Sequence, residues 1–224
     1  MKTLLAWSSG KDSAWSACQL RQQPGVELAG LLTLLSSHDR VFMHAVRPEI
    51  LAAQADAMEL PIFEVRLPPA ASDAEYESAL LAELRRAKDQ GFEAVAYGDL
   101  FLEDVRTHRE EILAKVGLRG LFPLWKLETR MLARTMLEHG IEAYVTCVDL
   151  SKLTEPFVGR RWDSKFLHDL PAFADPCGEY GEFHTVVLGG PMFRCRIDAH
   201  VGDRFLSKGF AFADVRLKLK SVSP

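Results

Sequence analysis

Lys2-Thr3-Leu4-Leu5-Ala6-Trp7-Ser8-Ser9-Gly10-Lys11-Asp12-Ser13 reads as a buried strand running into a polar turn, with an apolar-striped helix following from Asp12 to Arg21. That is the arrangement an anion site needs. Gly10 lets the backbone turn tightly and come close to a ligand. The unpaired N–H groups at the start of the following helix point at the anion, and the helix dipole adds to them. Ser8, Ser9 and Ser13 bring hydroxyl donors and Lys11 a positive charge. The loop is not a Walker A loop, which requires a glycine five residues before the Gly-Lys pair and Ser or Thr after the lysine. Leu5 and Asp12 stand at those positions. A plain serine-rich turn with Asp12 capping the helix is the simpler alternative.

Outward from this stretch, strand-like and helix-like segments alternate. Strands are expected at 26–35, 61–67, 93–97 and 142–149, and helices at 48–58, 74–90, 106–116 and 129–139. Pro48 opens one helix, and Gly91 and Gly140 close two others. Such alternation implies a mostly parallel sheet covered on both faces. About five units are too few for an eight-fold barrel, so the expected fold is an open doubly wound α/β sheet. Beyond Leu150, Pro and Gly punctuate short runs, with strands expected at 184–188, 192–199 and 210–219. The chain thus divides into an α/β domain over 1–150 and a smaller C-terminal lobe over 151–224 packed on it. In an open α/β sheet ligands bind at the carboxyl ends of the strands, where residues 8–13 and the Gly98-Asp99 pair both fall.

The bulk numbers exclude some classes. The 224 residues are 48% hydrophobic and 26% charged, enough for a full core. A formal net charge of −4 gives no support to general nucleic-acid or acidic-membrane binding. No stretch has the apolar length of a membrane span, and Leu4–Trp7 is too short for a signal h-region. Cys18, Cys147, Cys177 and Cys195 include no CxxC pair, which favours free thiols in the cytoplasm.

Ser8-Ser9-Gly10-Lys11-Asp12-Ser13 resembles the Ser-Gly-Gly-x-Asp-Ser loop of the N-type ATP pyrophosphatases, the PP-loop superfamily, with Ser9 in place of the first glycine. Further segments narrow the resemblance. Met43-His44, the Gln54 helix, Gly98 to Asp104, Arg106 with Arg109-Glu110, Pro123-Leu124-Trp125 and Cys177 to Thr185 resemble, in order, the diphthine–ammonia ligase family. The resemblance implies a HUP-like, Rossmann-like sheet. It implies an ATP-dependent ligase that adenylates a carboxylate, releases pyrophosphate and transfers ammonia to form an amide. ATP is the expected cofactor, with Mg²⁺ carried mainly by its phosphates. Ser8, Ser9, Gly10, Lys11, Asp12, Ser13, His44 and Gly98 are the expected nucleotide-binding residues.

The remaining candidates follow from chemistry and position together. Asp99 stands at the strand edge to orient substrate or hold Mg²⁺, or else caps the next segment. Glu103, Arg106 and Glu110 share a helix face, either as a substrate clamp or as a solvated ion-pair row. Glu179, Glu182 and His184, with Gly181 and Thr185, form a turn able to bind ammonium and accept its proton. Lys11, Asp99, Glu179, Glu182 and His184 are the expected catalytic set. His44 is equally readable as a structural histidine, and Trp125 as a core residue. No Cys or His has partners at metal-ligand spacing, so no zinc site is expected.

The family's diphthamide branch typically has Gly-Gly-Glu-Phe-Glu-Thr where this chain has Tyr180-Gly181-Glu182-Phe183-His184-Thr185. An imidazole in place of a carboxylate changes the charge there. The adenylation chemistry carries over with the resemblance; the acceptor, a small molecule or a protein side chain, does not. A homodimer is left open. Two other readings remain: a tRNA-thiolating relative, disfavoured by acidic charge and the lack of paired cysteines, and a nucleotide-binding regulator without turnover, which has no need of residues 179–185.

Overall fold

The computed structural model describes residues 1–36, 40–41 and 46–218. Five strands form the first sheet: β1 (Lys2–Ala6), β2 (Glu27–Leu35), β3 (Ile62–Arg66), β4 (Ala94–Ala96) and β5 (Arg119–Leu121). All pair in parallel, in the order β3-β2-β1-β4-β5. Helices α1 (Lys11–Gln22), α2 (Pro48–Met58), α3 (Asp73–Asp89) and α4 (Glu103–Ala114) connect them. This is the open doubly wound sheet expected from the alternation. The strand order reverses between β1 and β4, so the loops after these two strands flank a crevice at the switch point.

Local chemistry sets the helix ends. Ser72 and Glu75 form a reciprocal capping box at the start of α3. Pro48 sits in the first turn of α2, where its missing N–H costs nothing. Leu80, Leu81 and Leu84 of α3 pack with Leu4, Leu32 and Val95 on one face of the sheet. The opposite face packs in a second cluster, where Leu5 and Leu31 join Ala14 and Leu20 of α1 and Ile50 of α2.

That second cluster continues into another sheet, through Val145, Trp162 and Val186. This sheet is antiparallel: β6 (Glu142–Asp149), β7 (Arg161–Trp162), β8 (Phe183–Gly189), β9 (Ala199–Ser207) and β10 (Phe210–Leu217). Its order is β7-β6-β10-β9, with β8 paired to β6. The strand at Glu142–Asp149, expected to continue the parallel alternation, instead pairs antiparallel with β7, β8 and β10. Helix α5 (Thr129–Glu138) leads into it. The strand expected at 192–199 is absent. Met192, Phe193 and Ile197 are buried there on irregular backbone, and the strand begins only at Ala199. A short helix α6 (Ser164–Asp169), capped by Asp163, and a 3₁₀ turn (Glu155–Phe157) complete the chain.

Candidate active site

The loop after β1 is held by the second sheet as much as by its own strand. The Lys11 N–H donates to Thr185 Oγ1 (3.1 Å) and the Val187 N–H donates to the Ser9 carbonyl (2.9 Å). Gln54, fully buried on α2, completes the junction. Its Nε2 donates to the carbonyls of Ser9 (3.2 Å) and Val187 (2.8 Å), and its Oε1 accepts from the Trp7 indole N–H (2.9 Å). One amide thereby joins β1, the loop, α2 and β8. The sequence marked the Gln54 helix as a whole; the pinning role depends on Val187 of β8, which is 133 residues distant.

Within the loop, Ser8 and Ser13 share a hydroxyl contact (3.2 Å), and Ser13 Oγ donates to the Gly10 carbonyl (2.9 Å). Gly10 is the N-cap of α1, and no side chain caps that helix. Asp12 therefore does not fill the capping role open to it in the sequence. It pairs instead with Lys11, whose Nζ lies 2.9 Å from Asp12 Oδ2 and also donates to the Cys177 carbonyl. The Lys11 ammonium is buried under the rings of Trp162 (5.6 Å) and Phe183 (5.3 Å). Burial alone would lower its pKa, but Asp12 and its neighbours outweigh that and raise it, so the charge is retained. Ser9 stands at φ 67°, fully buried, with its hydroxyl turned away from any partner.

The Gly98 backbone lies against the start of α1. A Cβ there would lie 3.0 Å from the Asp12 carbonyl carbon, so any larger residue would push the two switch-point loops apart by a few tenths of an ångström. Asp99 is engaged: Arg109 of α4 donates through Nη2 to its Oδ1 (3.1 Å), with Nε in ion-pair contact with Oδ2 (2.6 Å), and lies 4.3 Å over the Tyr97 ring. Arg109 appeared in the sequence only as part of a resembling segment; its use emerges once α4 folds back over β4.

Glu179 reaches across from the turn before β8, and its Oε1 accepts from the N–H groups of Leu100 (3.0 Å) and Phe101 (3.2 Å). Burial raises its pKa against the pull of those two donors. Glu182 is 3% exposed, and its oxygens accept from the N–H groups of Asp175 (2.9 Å) and Tyr180 (3.0 Å). These bonds fold the turn over residues 175–182, and Glu182 does not line the cavity beside it.

That cavity, about 490 Å³, brings together Ser8, Lys11, Asp12, Ser13, Gly98, Asp99, Glu179, Gly181, His184 and Thr185. Its size is ordinary for a small-molecule site. Leu32, Leu34 and Val41 line it from the β2 flank, while Asp99 and Arg109 line it from the β4 flank. Glu103, Arg106 and Glu110 lie outside its lining. Arg106 pairs with Glu110 (2.9 Å) and stacks on Phe122 and Trp125, and Glu103 meets Lys126 (3.4 Å). His44 lies outside the described residues. Among the described residues no group of three or more His, Cys, Asp or Glu could hold a metal ion, and no helix is long and apolar enough to cross a membrane.

A polar loop at the switch point of a doubly wound sheet, faced by a second sheet, is the setting in which α/β folds bind nucleotides and other anions. Two family models account for nearly all of the chain: "Diphthamide synthase N-terminal domain" matches residues 1–120 and "Diphthamide synthase C-terminal domain" matches residues 128–220. The chain belongs to the diphthamide synthase family. Among curated proteins it is similar to the diphthine–ammonia ligase of Schizosaccharomyces pombe, 25% identical over 88% of this chain and 36% of that protein. It is also similar to the diphthine–ammonia ligases of Danio rerio (24% identical; 93% of this chain, 90% of that protein) and Homo sapiens (24%; 96% and 89%). The chain thus spans about a third of the fission-yeast relative and about nine-tenths of the two vertebrate ones.

Proposed function

We propose that the chain forms an amide from a carboxylate and ammonia at the expense of ATP, as the name of its relatives describes for diphthine. What carries the reading is the joint construction of the cavity. One wall is the anion-binding loop with the uncapped start of α1. The facing wall, Glu179 to Thr185, is the start of β8 with the turn before it, and it offers an imidazole and a carboxylate to a second reactant. A carrier of nucleotide alone has no use for that second wall.

In this reading the loop N–H groups and Ser8 and Ser13 hold the β and γ phosphates. A carboxylate oxygen of the acceptor attacks the α phosphorus, the bond from that phosphorus to the β-bridging oxygen breaks, and pyrophosphate leaves. Ammonia then attacks the acyl carbon, AMP departs with the bonding pair, and a cavity-lining base takes the proton. His184 is the assigned acceptor of that proton. Lys11, ion-paired with Asp12 and bonded to the Cys177 carbonyl, holds the loop in place. Asp99 with Arg109 and Glu179 with residues 100–101 fix the opposite rim. Glu182 acts through the turn it folds.

The site fits a Mg²⁺ brought in by the phosphates: Asp12 lines the cavity, and its buried Oδ1 has no hydrogen-bond partner. One carboxylate oxygen, with phosphate and water completing the shell, suits that ion, whose role would be to neutralise phosphate charge. The test is product analysis with ATP, ammonium chloride and a panel of carboxylates that includes diphthine. AMP and pyrophosphate should appear only with an acceptor present, and Asp12→Ala should remove them along with productive ATP binding. Stoichiometric ADP and phosphate without AMP would overturn the mechanism.

A further inference from the structure

Asp214 lies on β10, is 4% exposed, and does not line the cavity. Three guanidinium groups converge on its carboxylate. Arg47 donates through Nε and Nη2, both at 2.7 Å, Arg216 through Nε at 2.7 Å, and Arg40 through Nη1 at 3.1 Å. Burial alone would raise its pKa, but these donors outweigh that and hold it well below the usual carboxylate range. Arg216 is a neighbour on the same strand, and it also binds Asp203 of β9 (2.8 Å). Arg40 and Arg47 come from elsewhere: both belong to the connection between β2 and α2.

The two ends of that connection are themselves joined. The Val41 N–H donates to the Val46 carbonyl (3.0 Å) and the Ser36 N–H donates to the Arg40 carbonyl (2.8 Å). Val41 also bridges back to Leu35 at the end of β2. Arg40–Val41 and Val46–Arg47 therefore hang as one unit from Asp214. Val41 in turn is 3% exposed and forms part of the cavity wall beside Leu32 and Leu34. Apolar packing would hold two sheets together at less desolvation cost than a buried ion cluster. What planar forks on one carboxylate provide is a fixed orientation.

We infer that Asp214 is a positioning residue for the nucleotide, holding the Val41 wall of the cavity at a set distance from the loop through Arg40 and Arg47. The inference rests on the ATP reading above. It also explains why the second sheet contributes beyond its cavity-lining turn: β8 pins the loop while β10 pins the opposite flank.

The experiment measures binding of a non-hydrolysable ATP analogue by calorimetry, with kcat and KM for ATP and the melting temperature alongside. Asp214→Asn should weaken analogue binding and raise KM about tenfold while kcat stays within about twofold. Arg216→Ala keeps Arg40 and Arg47 on the carboxylate and should bind as the wild type does. Arg47→Lys keeps the charge but loses the fork, and should follow Asp214→Asn; it also serves if Asp214→Asn fails to fold. Wild-type affinity in a folded Asp214→Asn or Arg47→Lys, or an equal loss in Arg216→Ala, overturns the inference. A wild-type protein that binds no analogue would instead refute the ATP reading, and the inference with it.

Discussion

Ser9 shows how a single backbone angle escapes a reading of the sequence. Its neighbours Ser8, Lys11, Asp12 and Ser13 can be assigned from side-chain chemistry alone, and the structure gathers them at the crevice. Ser9 counted there as one more hydroxyl donor. It instead occupies the left-handed region at φ 67°, its Oγ buried without a partner. The signal available was the resemblance itself, which has glycine at this position. A left-handed conformation costs a non-glycine residue about 1–2 kcal/mol, and an unsatisfied buried hydroxyl about 1–3 kcal/mol. Glycine removes both but adds about 0.5–1 kcal/mol of backbone entropy loss on folding. Ser9→Gly should therefore stabilise the protein by about 1–4 kcal/mol. Urea denaturation should show a higher midpoint at unchanged slope. A lower midpoint would mean that the hydroxyl is satisfied in solution.

At the scale of elements, periodicity and end signals located what is long and locally encoded. Helices α2, α3 and α5 and strands β2, β3 and β6 lie within a few residues of the expected positions. The short β5 and β7 carry too few residues for a pattern. Strand β9 is mostly exposed along its length, so no alternation marks it, whereas apolar residues at 192–197 imitated a strand while packing irregularly. The contacts between elements were less legible still. Gln54 looks like a polar residue on an amphipathic helix until β8 and the loop arrive on either side of it. Replacing it by leucine would leave the Trp7 N–H and the Val187 carbonyl unpaired in the core. With each lost partner costing about 1–3 kcal/mol, Gln54→Leu should destabilise the fold by on the order of 3 kcal/mol. It should also weaken ATP binding more than its lost stability implies, because Ser9 loses one of its two anchors. Melting temperature and analogue affinity measured together test this, and a stable variant with intact affinity would show that β8 holds the loop unaided.

The whole molecule is two sheets fastened at the cavity, and that fastening has an electrostatic consequence invisible from composition. A net charge of −4 says nothing about one buried carboxylate shared by three arginines. Arg40 and Arg47 share one connection but lie 174 and 167 residues from Asp214, and nothing local to either side announces the other. Because the folded carboxyl of Asp214 is depressed, its stabilisation is complete at pH above the unfolded value of about 3.9 and disappears as pH falls from there through the folded value. Breaking a buried ion pair from one side typically costs about 3–5 kcal/mol. The arginines here are 29–45% exposed and can turn to water, which favours the lower end of that range. Asp214→Asn should thus lie about 3 kcal/mol below the wild type at pH 6. The gap should narrow progressively below about pH 4, where the wild type loses the ion cluster that the variant already lacks. Urea midpoints taken at pH 6, 4.5 and 3.5 measure that gap directly. A gap that stays constant through the acid range would mean that Asp214 contributes shape and hydrogen bonds to the junction, not charge.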